Sequence, residues 1–414
     1  MPGPGMYFIG EEEKKALLDV IEGGYIYRYG ESSNINFKQK VLKLERDFES
    51  FIGSKYALAV NSGTSALIVA LMALGIGPGD EVIVPGYTYI ASISSIIFAR
   101  AIPILAEIDE TLTLDPKDIE KKITPRTKAI MLVHMLGNPG YLTEIREIAK
   151  KNNIFLIEDC AQALGAKYGN KYVGTFGEIG IFSFNINKTI TGGDGGMVIT
   201  DDEKLYKRAF AIHDQGHFPL REGVEQGKRT LLGLTFRMTE FTGAVVGVQL
   251  KKLENIINHL KNNKARLKSH IEDINQIKFR KLTDENGEIS TLLTIIMPTI
   301  KSAVKMGEKL GCGVVADSGW HVYNNMEHFL GKMTVSEEGC PFNCPFYKGP
   351  EPVYSKGMLP QTDNILKRSI NISIGVSDKG LGSNYGLSVD NTPAEIDKIG
   401  EELRKVILES LKIN

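Results

Sequence analysis

Cysteine is scarce in this sequence. There are four in 414 residues, Cys160, Cys312, Cys340 and Cys344. So few thiols in so long a chain exclude a disulfide framework and point to a reduced, cytoplasmic protein. Cys340 and Cys344 form a C-x-x-x-C arrangement without the second ligand pair that a structural zinc site needs, so no metal is expected. Net charge is also nearly absent: 49 basic and 50 acidic residues leave −1. That removes the electrostatic footprint of a nucleic-acid or anionic-membrane binder. The most apolar long stretch, Tyr87 to Ile108, is interrupted by Arg100 and Pro103 and reads as helix then strand rather than a membrane span. The opening Met-Pro-Gly-Pro-Gly has neither a basic n-region nor an apolar h-region, so no secretory signal is expected. The expected partners are therefore small molecules and further copies of the chain.

What is present is alternation. A short amphipathic helix is expected over Glu11–Glu22, with Leu17, Leu18 and Ile21 on its apolar face, and a second helix from about Asn36 to Phe51. From Tyr56 onward, short apolar runs alternate with helical stretches. Strands are expected at Ala57–Val60, Glu81–Val84, Ile102–Leu105, Ala129–Val133, Ile154–Glu158, Ile179–Phe184 and Met197–Thr200, with helices between most of them. This pattern predicts an α/β fold with a mixed, mostly parallel sheet. A helical stretch over Thr239–Asn263 leads into a different composition. There Leu292–Met297, Val304–Leu310 and Val314–Asp317 suggest a smaller α+β unit, closed by a helix over Pro393–Leu411 with Thr392 as its N-cap. The expected division is an N-terminal arm over 1–35, a large α/β domain over 36–253 and a small C-terminal α+β domain over 254–414.

In an open α/β sheet, ligands bind beyond the carboxyl ends of the strands. Four predicted strand ends supply chemically useful groups. The first leads into Asn61-Ser62-Gly63-Thr64-Ser65, a helix start whose free N–H groups favour a phosphate and whose Gly63 permits close approach. The second leads to Tyr89, a ring able to stack on a flat ligand. The third ends on Asp159, a carboxylate on an apolar strand that needs a partner such as a protonated pyridine nitrogen. The fourth carries Ser183 and is followed by Lys188, just ahead of the glycine-rich run Gly192-Gly193-Asp194-Gly195-Gly196. A lysine that forms an imine benefits from such a partly desolvated position. Each residue alone has an ordinary reading: a helix cap for Ser62–Ser65, a capping Asp, a surface lysine, core for Tyr89 and Ser183. In this order they provide each group that pyridoxal 5′-phosphate requires.

The stretch from about Tyr56 to Leu253 resembles the sugar aminotransferases of the DegT/DnrJ/StrS type, within the fold type I pyridoxal-phosphate enzymes. The matching motifs are Val60-Asn61-Ser62-Gly63-Thr64-Ser65-Ala66-Leu67, Gly79-Asp80-Glu81-Val82-Ile83-Val84-Pro85, Ile157-Glu158-Asp159-Cys160-Ala161-Gln162-Ala163, Phe182-Ser183-Phe184-Asn185-Ile186-Asn187-Lys188 and Gly195-Gly196-Met197-Val198, with Gly233-Leu234-Thr235-Phe236-Arg237-Met238 further on. The resemblance implies that Lys188 is the Schiff-base lysine and that Asp159 pairs with the pyridine nitrogen. It places Gln162 near the phenolic oxygen, Tyr89 in the stacking position, and Thr64, Ser65 and Ser183 on the phosphate. It also implies a homodimer in which the segment around Thr235 and Arg237 reaches into the partner subunit's site. Thr235 stands where the family usually has Asn. His213-Asp214-Gln215-Gly216-His217 and Trp320-His321-Val322-Tyr323 resemble a subgroup that includes 8-amino-3,8-dideoxy-manno-octulosonate aminotransferases, which makes His217 and His321 candidate substrate residues. The implied activity is ping-pong transamination from an amino acid, L-glutamate by family, to a keto sugar, nucleotide-linked or Kdo-like. Two rivals are a sugar dehydratase on the same fold, which typically replaces the lysine with His, and a regulatory protein that binds the cofactor without turnover.

Overall fold

The computed structural model describes residues 2–219 and 229–412. The arm begins with a 3-10 turn, Pro4–Phe8, followed by α1 (Glu11–Gly23) and α2 (Lys40–Ile52). The main alternation then runs β1 (Tyr56–Val60), α3 (Gly63–Ala73), β2 (Glu81–Pro85), α4 (Ile90–Phe98), β3 (Ile102–Ala106), α5 (Pro116–Lys122), β4 (Thr127–Val133), α6 (Leu142–Asn152) and β5 (Phe155–Asp159). A small hairpin, β6 (Lys167–Tyr168) with β7 (Lys171–Tyr172), precedes β8 (Ile179–Ser183), β9 (Gly196–Thr200) and α7 (Glu203–His213). The seven long strands form one sheet in the order β1-β9-β8-β5-β4-β2-β3. Only β9 runs against its two neighbours, so all the other carboxyl ends, including Val60, Pro85, Asp159 and Ser183, lie along one edge.

The strands are apolar on both faces because both faces are covered. Successive residues point to opposite sides. On β1, Ala57 and Ala59 join a core shared with α2, α6 and the later helix α8 (Glu240–Ser269), while Leu58 and Val60 join one shared with α3, α4 and α7. Alternation on β2 works the same way, with Ile83 on the first side and Val82 and Val84 on the second.

Beyond α8 come β10 (Lys278–Phe279), β11 (Leu292–Ile296), α9 (Ile300–Leu310), α10 (Glu327–Leu330), α11 (Pro360–Arg368), β12 (Ser369–Ser373) and α12 (Pro393–Leu411). The three strands form an antiparallel sheet, β10-β11-β12. Pro393 sits in the first turn of α12 and Thr392 caps it, as the sequence implies. The expected break at 253/254 falls inside α8, which is unbroken for 30 residues and packs against α1 and α2 on one side and α12 on the other. Val315–Asp317 is a 3-10 turn rather than part of a strand or longer helix.

Two expectations about the arm helices need correction. The apolar face expected for α1 is not its buried one. Leu18 and Ile21 are exposed, and α1 instead buries Glu13, Ala16 and Val20 toward α8. Glu13 is tolerated there because Lys252 and Gln249 hydrogen-bond to it, at 2.8 Å each. The second helix starts at Lys40 rather than near Asn36, because Gln39 adopts a left-handed backbone (φ 54°) that a right-handed helix cannot contain. Its first N–H groups, on Lys40 and Val41, donate to the Glu240 carboxylate at 2.6 and 3.0 Å, a cap supplied from 200 residues away.

Candidate active site

A cavity of about 330 Å³ opens at the carboxyl edge of the large sheet. Its walls include Gly63 and Thr64 from the start of α3, Tyr89 before α4, Asp159 from β5, Gln162, Ser183 from β8 and Lys188. His321, Thr291 and Asp378 close it from the C-terminal part of the chain. The sheet thus brings together what the sequence places up to 125 residues apart, from Gly63 to Lys188.

At one end, Ser62 caps α3 by accepting the Ser65 N–H at 3.0 Å. A Cβ on Gly63 would lie 2.7 Å from the Ser183 Cβ and 3.0 Å from its Oγ, so only glycine lets the helix start and β8 meet this closely. The resulting corner combines a helix N-terminus with the Ser183 and Thr64 side chains, a setting suited to an anion. Ser65 is a correction. Its hydroxyl is buried, donates to Asn61 Oδ1 at 2.7 Å and lies 2.9 Å from the Ser62 hydroxyl, and it does not line the cavity. Its position inside the first turn of α3 turns its hydroxyl back toward Asn61 and the capping Ser62.

Asp159 is almost fully buried. It accepts hydrogen bonds from the Ser92 hydroxyl (2.8 Å) and the Ala161 N–H (3.0 Å), and Ser92 in turn contacts Thr88 at 2.7 Å. Burial raises the Asp159 carboxyl above its ordinary value, against the opposing pull of these bonds and of the Lys188 charge. Lys188 shows the complementary shift. Burial lowers its amine, with the Asp159 and Asp378 charges working the other way. Gln162 is oriented by the Leu136 N–H, which donates to its Oε1 at 3.0 Å, leaving the amide nitrogen as its donor. His321 is held by its Nδ1, which donates to the Gly380 carbonyl at 2.8 Å, and its ring lies 5.3 Å from that of Tyr89. Burial pushes His321 down to about 4, so its imidazole is neutral near pH 7.

Three other candidates lie outside this cavity. His217 is buried, with Nδ1 2.7 Å from the Asp214 carbonyl. Arg237 pairs with the Asp214 carboxylate and sits over the Tyr27 ring, 5.2 Å from its centroid. Thr235 bridges Asp214 through its backbone and exposes its side chain. None of the three lines the cavity of its own chain. Residues not singled out from the sequence include Ser92, Thr88, Thr291 and Asp378. Ser92 carries no periodicity or spacing signal; only its hydrogen bond to Asp159, where the start of α4 meets the end of β5, reveals it. Asn185 and Asn187, which flank Lys188 in the cavity wall, were legible as polar residues in the Ser183–Lys188 segment.

A mostly parallel sheet with this cavity at its carboxyl edge is the architecture of the fold type I pyridoxal-phosphate transferases. The solved structure of an aminotransferase from Psychrobacter cryohalolentis superposes with a TM-score of 0.78 at 26% identity, covering 100% of both chains. The chain belongs to the DegT/DnrJ/EryC1/StrS aminotransferase family, whose model matches residues 8–316. A GDP-perosamine synthase of Escherichia coli O157:H7 is 42% identical over 267 residues, which is 64% of this chain and 70% of that relative. An uncharacterized protein of Methanocaldococcus jannaschii is 32% identical over 389 residues, 88% of this chain and 90% of its own. The protein is therefore a pyridoxal-phosphate-dependent aminotransferase.

The side chains present fit that cofactor. A buried carboxylate, Asp159, and a half-buried amine, Lys188, line one cavity, where the first can meet a protonated ring nitrogen and the second a carbonyl carbon. The Gly63–Ser183 corner offers donors for a phosphate, and Tyr89 offers a ring face at the cavity wall.

Proposed function

We propose that this aminotransferase moves an amino group from an amino acid, L-glutamate by family, to a keto sugar, using Lys188 as the residue that carries the cofactor covalently. The observation that carries the reading is the pairing of Lys188 with Asp159 across one cavity, each shifted toward its neutral form by burial. Bound there, pyridoxal phosphate supplies an electron sink for the pair of electrons left when the amino acid loses its α-proton. Asp159 holds the proton on the ring nitrogen that keeps the sink effective, with Ser92 and the Ala161 N–H fixing its direction. The Lys188 amine, once free, would take the proton from the amino acid's Cα and return it two bonds away, to the carbon on the far side of the transferring nitrogen, and its lowered basicity suits both tasks. Gln162 would serve as a donor to the cofactor's phenolic oxygen, Thr64, Ser183 and the start of α3 would hold its phosphate, and Tyr89 would offer its ring face to it.

The rest of the cavity favours a hydroxylated acceptor. Apart from Lys188 it presents Asn185, Asn187, Asp194, Thr291, Asp378 and a neutral His321, and no arginine among the described residues. These groups match sugar hydroxyls better than carboxylates. Anionic groups of the substrates would then need cations from elsewhere. The exposed Thr235, the Arg237 beside it and the exposed Ile26, Tyr27, Leu232 and Leu234 around them support a homodimer in which this segment completes the partner subunit's site. The relative named GDP-perosamine synthase favours a nucleotide-linked sugar over a Kdo-like acid. Against a dehydratase stands the lysine itself, and against a regulatory role the intact set of carboxylate, amine and anion corner. The deciding experiment is single-turnover release of 2-oxoglutarate from glutamate by the cofactor-loaded protein. It is followed by the reverse reaction on a panel of amino sugars, nucleotide-linked and Kdo-like, with 2-oxoglutarate. No 2-oxoglutarate from glutamate or any other amino acid's keto acid would overturn the assignment.

A further inference from the structure

The loop that carries Lys188 does not stand alone. The segment Pro2-Gly3-Pro4-Gly5 lies directly on it. The Gly3 N–H donates to the Ile186 carbonyl at 2.9 Å, and two residues on, the Gly5 N–H points at the Lys188 carbonyl at 3.4 Å. The approach is backbone against backbone. A Cβ on Gly3 would fall 2.4 Å from the Asn187 carbonyl carbon, 2.5 Å from its oxygen and 2.8 Å from the Lys188 nitrogen. A Cβ on Gly5 would fall 2.8 Å from the Ile190 Cα and 2.9 Å from the Thr191 nitrogen. Gly3, Pro4 and Gly5 are buried, and the prolines on either side of Gly3 restrict how far the segment can swing.

The segment is anchored where the fold is rigid. The Lys252 amine, on α8, donates to the Phe8 carbonyl at 2.9 Å, and the Phe8 ring packs edge-on against His259 of the same helix. The Gln249 side chain, also on α8, lies beside Gly5 and is held to Glu13. Chain from the far end of the sequence thus ties the Lys188 loop to the longest helix in the molecule. The side-chain bonds within the loop itself are all local: Asn185 to Asp194 at 3.0 Å, the Thr191 hydroxyl to the Phe184 carbonyl at 3.0 Å, and short-range bonds from backbone N–H groups to the Ser183 hydroxyl, Asn185 and the Thr191 hydroxyl.

We propose that Pro2–Gly5 is a positioning strap that sets the Lys188 backbone, and through it the Lys188 amine, for proton transfer, and that Gly3 and Gly5 are required because nothing larger fits between the strap and the loop. The inference rests on the assignment of Lys188 as the cofactor-bearing residue. A displacement of about 1 Å at such an amine costs on the order of a hundredfold in rate.

The test compares Gly3→Ala and Gly5→Ala with Gly10→Ala, a glycine of the same arm whose Cβ would meet nothing within 4 Å. Three readouts are taken: kcat and KM for the amino donor, the pH at which the visible absorbance of the lysine-bound cofactor titrates, and hydrogen exchange of the 183–192 peptide in the cofactor-free protein. The expected result for Gly3→Ala and Gly5→Ala is a kcat lowered roughly tenfold to a hundredfold. KM should change little, the absorbance titration should shift, and exchange in 183–192 should be faster. Gly10→Ala should match wild type in all three. Pro4→Gly, which loosens the strap without a collision, decides the matter if the alanine variants do not fold. It should raise exchange in 183–192 and lower kcat in the same direction. Wild-type kcat, titration and exchange in the folded glycine variants, or in Pro4→Gly, would overturn the strap. So would a loss of activity without any change in 183–192. Borohydride reduction of the wild type, followed by peptide mapping, separates this from failure of the underlying assignment. Labelling of another lysine refutes the role of Lys188, while the exchange data still report whether the strap holds the loop.

Discussion

Glu158 and Asp159 are adjacent on β5, both are buried, and their carboxylates share no hydrogen-bond partner. Asp159 takes its bonds from Ser92 and Ala161 at the cavity. Glu158 points to the opposite face, where it accepts the N–H groups of Gly174, Phe176 and Gly177 at 2.6–2.7 Å and contacts His134 Nε2 at 3.1 Å. The His134 Nδ1 accepts from the Gly140 N–H, so Nε2 carries the hydrogen. Strand alternation gives two neighbouring carboxylates different work. One is a binding group with capacity to spare, and the other is saturated by the fold.

The saturated carboxylate makes a stability prediction. Burial acts to raise the Glu158 pKa, but the His134 bond and the Gly177 and Gly174 amides outweigh it and hold the group below its ordinary value. A depressed folded pKa adds stability that is present above the unfolded pKa and lost as pH falls through the folded one. Glu158→Gln, which replaces an acceptor with a donor among N–H groups, should cost about 1–3 kcal/mol at pH 7. Urea denaturation of both proteins should show the gap largest at neutral pH and shrinking below about pH 4.5, the ordinary value of the group. A gap that is constant with pH would contradict the ionised role of Glu158.

Asp159→Asn makes a different one. The change is nearly isosteric and keeps an acceptor for Ser92, so the fold and cofactor uptake should survive. Turnover should fall on the order of a hundredfold or more, because the charge opposite the ring nitrogen is gone. Steady-state kinetics of the loaded variant test this, and activity close to wild type would refute the assigned role.

Lys188→Ala should take up the cofactor without forming a covalent link to it and should lose turnover. Mass mapping after borohydride reduction should find the label on Lys188 in the wild type and none in the variant. Label on any other lysine would refute the central assignment.

A shared active site predicts complementation. Thr235→Val chains mixed with Lys188→Ala chains should form heterodimers in which one site carries both lesions and the other neither, restoring one working site per dimer. Activity is measured against each parent after heterodimers are demonstrated by mass. If Thr235→Val alone is impaired and the mixture is no more active than its parents, the sites are not shared.

The local signals were strong for the sheet and for the residues at its carboxyl edge. Short apolar runs marked the strands because a sheet covered on both faces has no polar side to blur them. Gly63, Thr64, Tyr89, Asp159, Ser183 and Lys188 were legible because each lies at or just beyond a strand end or opens a helix, and strand ends converge in any parallel sheet, while Gln162 came from the family resemblance. His321 came from motif alone, and the fold delivers it to the same cavity.

Most of what the sequence could not show depends on partners far along the chain. Ser65 is a local exception: it carries the residue type of a phosphate ligand, but Asn61 and the capping Ser62 take up its hydroxyl. The buried face of α1 contains Glu13, a residue that apolar periodicity assigns to solvent, because Lys252 and Gln249 arrive from α8 to satisfy it. The start of α2 is set by Glu240, and the Lys188 loop lies against Gly3 and Gly5 of the N-terminal arm. Patterning within a window reports which face of an element is apolar. It carries no information about a distant charge or backbone that makes another arrangement cheaper, and in this protein those distant groups decided where α2 begins and which face of α1 is buried.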